Sequence, residues 1–130
     1  MEGLYQTLPI VAVSLFAIAT IVVTTRPAVD WRVPATISML FLGWSLYTIA
    51  SEGFFAFWGE HTRNAWGNQI WFDLLIAVAI AWTLLLPKAR AVGMRTWPWL
   101  ALIFASGCVG LAAMFARCRY LEMQSNQGGK

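Results

Sequence analysis

From Leu8 to Thr25 the chain reads L-P-I-V-A-V-S-L-F-A-I-A-T-I-V-V-T-T without one charged residue. A helix over that run is about 27 Å long, close to the roughly 30 Å hydrocarbon of a bilayer. Pro9 fits such a helix in its opening turn, where its missing N–H has no partner to lose. Three further segments of comparable length follow, at about 34–57, 65–86 and 97–117. No small soluble domain can hide that much apolar surface. Hydrophobic residues make up 59% of the 130 and charged ones 12%, so too few polar side chains remain to cover a core. The bilayer is therefore the expected solvent.

The segments are separated by short breaks. R-P-A-V-D-W-R-V-P interrupts the first and second with prolines and charges, and P-K-A-R-A-V-G-M-R-T separates the third and fourth. Residues 122–130 read as a polar, frayed tail. Short loops make consecutive helices antiparallel neighbours. The expected fold is an all-α, single-domain transmembrane four-helix bundle, up-down-up-down. No polar–apolar alternation of the barrel kind is present. Met1 to Thr7 holds Glu2 and no basic residue, so the first run is expected to be a retained helix and not a cleaved signal.

In that order of helices, the first and third loops share one side with Arg26, Arg32, Lys88, Arg90 and Arg95. The other side holds Arg63, Arg117, Arg119 and Lys130. Five against four is a slight bias, and it leans both chain ends away from the cytoplasm. Trp31, Trp58, Trp66, Trp97 and Trp99 fall near helix ends as interfacial anchors, while Trp44, Trp71 and Trp82 fall deeper, as packing residues.

Chemistry concentrates between Glu52 and Asp73, E-G-F-F-A-F-W-G-E-H-T-R-N-A-W-G-N-Q-I-W-F-D, which holds three of the six acids and the only histidine. On the second helix Ser38, Ser45, Thr48 and Glu52 form one stripe, which lipid favours turning inward. On the third, Gln69 and Asp73 share a face continued by Ala77, Ile80 and Leu84. The hairpin is expected to set Glu52 opposite Asp73, beside His61, Arg63 and Gln69, as an intramembrane proton, ion or ligand site. The competing expectation is a structural ion pair through Arg63 or His61. Asn68 offers an alternative N-cap that brings Asp73 closer to the helix start.

One histidine excludes a multi-histidine metal site within the chain. Cys108 and Cys118, about 15 Å apart along one helix, cannot bridge. No nucleophile-elbow or phosphate-loop pattern occurs, and the basic residues sit at segment ends, not in a nucleic-acid footprint. Ser106 and Gly110 form a small-xxx-small pair suited to close helix packing. The basic, aromatic-flanked loop K-A-R-A-V-G-M-R-T-W-P-W suits end-anchoring at headgroups.

The pattern N-A-W-G-N-Q-I-W-F-D-L-L-I-A, the break K-A-R-A-V-G-M-R-T-W-P-W-L and a glycine-containing last helix ending Y-L-E together resemble a family of small bacterial membrane proteins. That family is known as a domain of unknown function with three or four predicted helices. The resemblance covers the second half of the chain, sets Asp73 at the family's D-L-L-I acid, and implies a bacterial inner-membrane location without an activity. Small multidrug transporters share the length, but their essential acid lies in the first helix, and Leu8 to Thr25 has none.

Three function classes follow. The first is a non-enzymatic accessory or assembly subunit, with the bilayer, other membrane subunits or further copies of the chain as partners. The second is an oligomeric proton- or ion-coupled transporter or channel using Asp73 and Glu52. The third is an intramembrane enzyme or quinone-type site with Glu52, Asp73 or His61 as base. No cofactor is required, although the aromatic surface leaves room for a bound lipid, quinone or pigment.

Overall fold

The computed structural model describes residues 2–26 and 28–128, with the side chains of residues 2 and 4 left out. Lys130 and the last of the expected tail lie outside those residues. The described chain folds into six helices: α1 (Glu2–Thr24), α2 (Arg32–Glu52), α3 (Ala56–Thr62), α4 (Ala65–Ala91), α5 (Thr96–Ser106) and α6 (Cys108–Gly128). Among the described residues there is no strand, and α1, α2 and α4 are long and apolar enough to cross a membrane.

The fourth apolar segment differs from its expected form. The chain breaks at Gly107, whose φ of 58° is strained for any residue with a Cβ. The Gly107 N–H closes α5 on the Ile103 carbonyl at 2.7 Å, and α6 then folds back along α5. The reversal brings Gly110 against the α5 backbone. A Cβ there would stand 2.9 Å from the Leu102 carbonyl carbon, 2.9 Å from Ser106 Oγ and 3.0 Å from the Ile103 nitrogen. Ser106 and Gly110 thus meet across two helices, not along one. Residues 122–128, expected to fray, instead continue α6.

This C-terminal helix is the hub of the fold. Val109, Gly110, Met114, Ala116 and Cys118 are buried on it, and α2, α4 and α5 all pack against it. Met114 and Cys118 join Leu85 and Ala89 of α4 and Ile103 of α5 in the core, with Trp82, Trp99 and Met94 packed around them. Burial pushes the Cys118 thiol above its ordinary range, and the Glu122 charge adds to the shift. The core explains a second difference. Helix α4 does not stop at Pro87 but continues to Ala91. The ring removes one backbone bond, and the burial of Leu85 and Ala89 on either side of it offsets that loss.

Helix α2 packs on α6 in the opposite direction. Trp31 meets Tyr120 edge-on at 5.3 Å, and further along Ser38 Oγ donates to the Val109 carbonyl at 2.9 Å. Of the expected polar stripe on α2, Ser38 is buried, Ser45 and Thr48 are half-buried, and Glu52 is exposed. The reason is geometric: α6 begins at the level of Ser38, so nothing from it covers the remaining turns. Ser45, Thr48 and Ser51 donate to their own helix instead, to carbonyls of Phe41, Trp44 and Tyr47. Ser14, Thr20 and Thr24 do the same on α1, which leaves its apolar surface free of unpaired hydroxyls. Side-chain contacts tie α1 to α2 through Tyr5, hydroxyl to hydroxyl with Tyr47 at 3.3 Å and edge-on to Trp44. No part of the α1 span is buried.

Candidate functional site

The stretch after α2 is a tight helical hairpin. Gly53, at φ 93°, ends α2 with its N–H on the Ile49 carbonyl, and Phe54 and Phe55 carry the chain into α3. At the other end Asn64 caps α4, accepting from the Gly67 N–H at 2.9 Å. Helix α4 thus starts at Ala65, and Asn68 is not its cap. The Asn68 side chain donates to the His61 carbonyl at 2.7 Å and pins the end of α3 to α4.

Gly67 is what permits this approach. A Cβ at that position would overlap the Glu60 carbonyl oxygen and stand 3.2 Å from that of His61. Both are backbone atoms, which cannot swing aside. Gly67→Ala is therefore expected to detach α3 while α4 keeps its helicity. Proteolytic cleavage between Gly53 and Arg63 should rise about tenfold, matching a loss of ~1.4 kcal/mol of docking. Cleavage at the wild-type rate would show that α3 does not depend on this contact.

With α3 held down, the half-buried His61 ring stacks on Trp71 at 4.6 Å, and Phe57 lies against both rings. Arg63 reaches back to Glu60 at 3.4 Å, an exposed pair of the kind that adds at most ~1 kcal/mol. Gln69 and Asp73 are exposed on α4, and Glu52 is exposed at the end of α2. Among the described residues no hydrogen bond or ion pair joins any two of Glu52, His61, Arg63, Gln69 and Asp73. No such bond knits the expected constellation together, and its members engage other neighbours. Arg63 finds Glu60 one turn away, and His61 finds an aromatic wall. Helices α2 and α4 both pack on α6 and share no packed interface of their own at this end. No grouping of three metal-ligating side chains is present among the described residues.

A second group of polar interactions, tying α6 to the segment before α2, lies at the opposite end. Arg119 donates through Nε to the Val29 carbonyl at 3.0 Å and through its guanidinium to Glu122. The pair is only about a quarter exposed and borders a hollow of about 210 Å³ lined by Val92, Met123, Ser125 and Asn126. Beside it, Arg117 sits over the Tyr120 ring at 5.5 Å, and Arg32 over the Trp31 ring at 5.8 Å. The i, i+3 spacing of Arg119 and Glu122 is visible in the sequence. Their meeting with residues some ninety positions earlier is not.

Compared with family models, with curated proteins and with solved structures, the chain matches none.

Proposed function

We propose that this chain is a small, non-enzymatic multi-pass protein of a bacterial inner membrane, acting as an accessory or assembly subunit of a larger membrane complex. The observation that carries this reading is Asp73. Counting about 30 Å up α4 from Lys88 reaches Asn68, which leaves Asp73 about 7 Å inside the hydrocarbon. A carboxylate near that depth costs up to ~3 kcal/mol, and within the described chain no hydrogen bond or ion pair offsets that cost. A partner group from another subunit or another copy supplies what the chain lacks. The uncovered span of α1 and the exposed aromatic residues Phe54, Phe55, Trp58 and Trp66 offer further partner surface.

In this reading α1, α2 and α4 cross the membrane, while α5 and α6 form a hairpin that enters and leaves on one side. Arg26, Arg32, Lys88, Arg90, Arg95, Arg117 and Arg119 then share that side, and Arg63 is alone on the other among the described basic residues. Seven against one points the basic end to the cytoplasm, where five against four barely did.

The same Asp73 also supports a second reading, in which an oligomer moves protons or ions through Asp73 and Glu52. Asp73→Asn separates the two. The subunit reading expects gently solubilised wild-type protein to run as a larger assembly and the variant to fall to the single-chain mass. It also expects proton flux into proteoliposomes at the empty-vesicle level for both. Flux lost in the variant with assembly intact would overturn the subunit reading in favour of transport.

A further inference from the structure

Between the first turns of α2 and the last buried turns of α6 lies an open hollow of about 510 Å³, lined by Trp31, Ala35, Ala116, Arg117 and Tyr120. We propose that this hollow binds an anionic phospholipid, with the headgroup phosphate held by Arg117, which lines it, and with Arg32, over Trp31, adding positive charge at its rim. The inference rests on the membrane placement proposed above and not on the subunit role.

The two guanidiniums flank one aromatic stack. Arg32 lies over Trp31, Trp31 meets Tyr120 edge-on, and Arg117 lies over Tyr120. Each aromatic face seats its cation without using the in-plane N–H donors. Arg119, two residues from Arg117, is different: Glu122 and the Val29 carbonyl already engage it. Neither Arg32 nor Arg117 has a carboxylate partner among the described residues, and both are exposed. Their donor edges suit a phosphate, which guanidinium groups bind with paired, charge-assisted hydrogen bonds.

The floor of the hollow distinguishes a lipid from a free anion. Ala35 and Ala116 are apolar and small, and they leave the hollow open beside Trp31. Met39 and Leu42 continue the Trp31–Ala35 face of α2 toward the membrane interior, and both are exposed. A phosphate ion uses none of that surface, whereas an acyl chain lies along it. A zwitterionic lipid would bring a second cation beside two arginines, so the site selects an anionic headgroup. Interfacial basic pockets between helices on the positively charged side are suited to such lipids.

Native mass spectrometry of the full chain in mild detergent tests the site, with phosphatidylglycerol and phosphatidylcholine of identical acyl chains as probes. Phosphatidylglycerol is expected to be retained about tenfold better. Replacing both cations (Arg32→Gln with Arg117→Gln) should lower its retention about tenfold, as expected for losing ~1.4 kcal/mol of charge-assisted bonding. Arg63→Gln, at the other end, should leave it unchanged. Ala35→Phe fills the hollow, keeps both cations and should also lower retention, so the test survives if the double variant loses its helicity. Equal retention of the two lipids, or no loss in Ala35→Phe, would overturn the proposal. So would displacement of the lipid by millimolar inorganic phosphate, which would make the site one for free anions. Lipid retention and assembly mass are separate readouts, so failure here is distinct from failure of the subunit reading.

Discussion

Gly110→Leu is expected to be the most damaging single substitution in this protein. At this position α6 crosses α5 with no room for a side chain, since two of the three atoms nearest a Cβ belong to the α5 backbone. Ser106 Oγ, the third, is itself held by the Leu102 carbonyl at 2.7 Å. A leucine must push the two helices apart, and the displacement spreads because α6 carries most of the core. Met114, Cys118 and the Ser38–Val109 bond all depend on its position. Overpacking costs of this kind run to ~3 kcal/mol, and here loosening of the core adds to them. The expected result is a midpoint shift of more than 2 kcal/mol in equilibrium unfolding monitored by circular dichroism, as an order-of-magnitude figure. Gly43→Ala is the matched control. Its Cβ would meet nothing within 4 Å, and in a helix interior the exchange should be neutral or stabilising by up to ~1 kcal/mol. Similar behaviour of the two variants would mean that the α5–α6 crossing is not held as tightly as its geometry indicates.

The second large effect is all-or-none. A reporter placed after Ser125 is expected on the same side of the membrane as one placed in the Lys88–Arg95 loop, and opposite to one placed at Glu60. An up-down-up-down four-helix order gives the reverse for Ser125. The expectation follows from the turn at Gly107 and from Arg119 lying against the Val29 carbonyl. Helix α5 reaches only about 16 Å from its start, half a bilayer's hydrocarbon, before the chain returns. Cysteine labelling gives an independent check. Cysteines at Ser125 and Arg95 should share accessibility to an impermeant thiol reagent, with Cys118 unreactive because it is fully buried and its thiol is held protonated. Labelling of Ser125 together with Glu60 would sink the hairpin topology.

Some of this was legible in advance. The existence of α1, α2 and α4 follows from long, nearly uncharged apolar runs, but their ends shift by up to six residues. Helix α1 begins at Glu2, which puts Pro9 inside it and not in its opening turn. Helix α2 ends at Glu52, short of Phe57, and α4 runs on to Ala91. The start of α4 at Ala65 carries its own signal in the cap Asn64. Ser38 was visible as one end of a polar stripe. That it alone would be buried was not, because this depends on where α6 begins. The turn at Gly107 lay inside an apolar run with a second glycine three residues on. Composition cannot tell a glycine that breaks a helix from one that lets two helices touch. Gly107 does the first and Gly110 the second.

The Glu52–Asp73 stretch shows the same limit from the other side. Its charges and aromatics marked it as the centre of the chain, and the α3–α4 hairpin does gather Phe57, His61 and Trp71 there. Whether two acids on different helices meet depends on a long-range packing choice, and α2 and α4 both choose α6. By itself the sequence determined that the chain is helical, that it carries helices long and apolar enough to cross a membrane, and roughly where those helices lie. Each of these follows from residues near one another along the chain. Only the tertiary structure decided that the last segment doubles back and that seven basic residues share one end. It also decided that the hub is α6 and not the polar loop. Contacts such as Arg119 with Val29 and Trp31 with Tyr120 join positions some ninety residues apart, and no local pattern encodes which distant surface a helix face will meet.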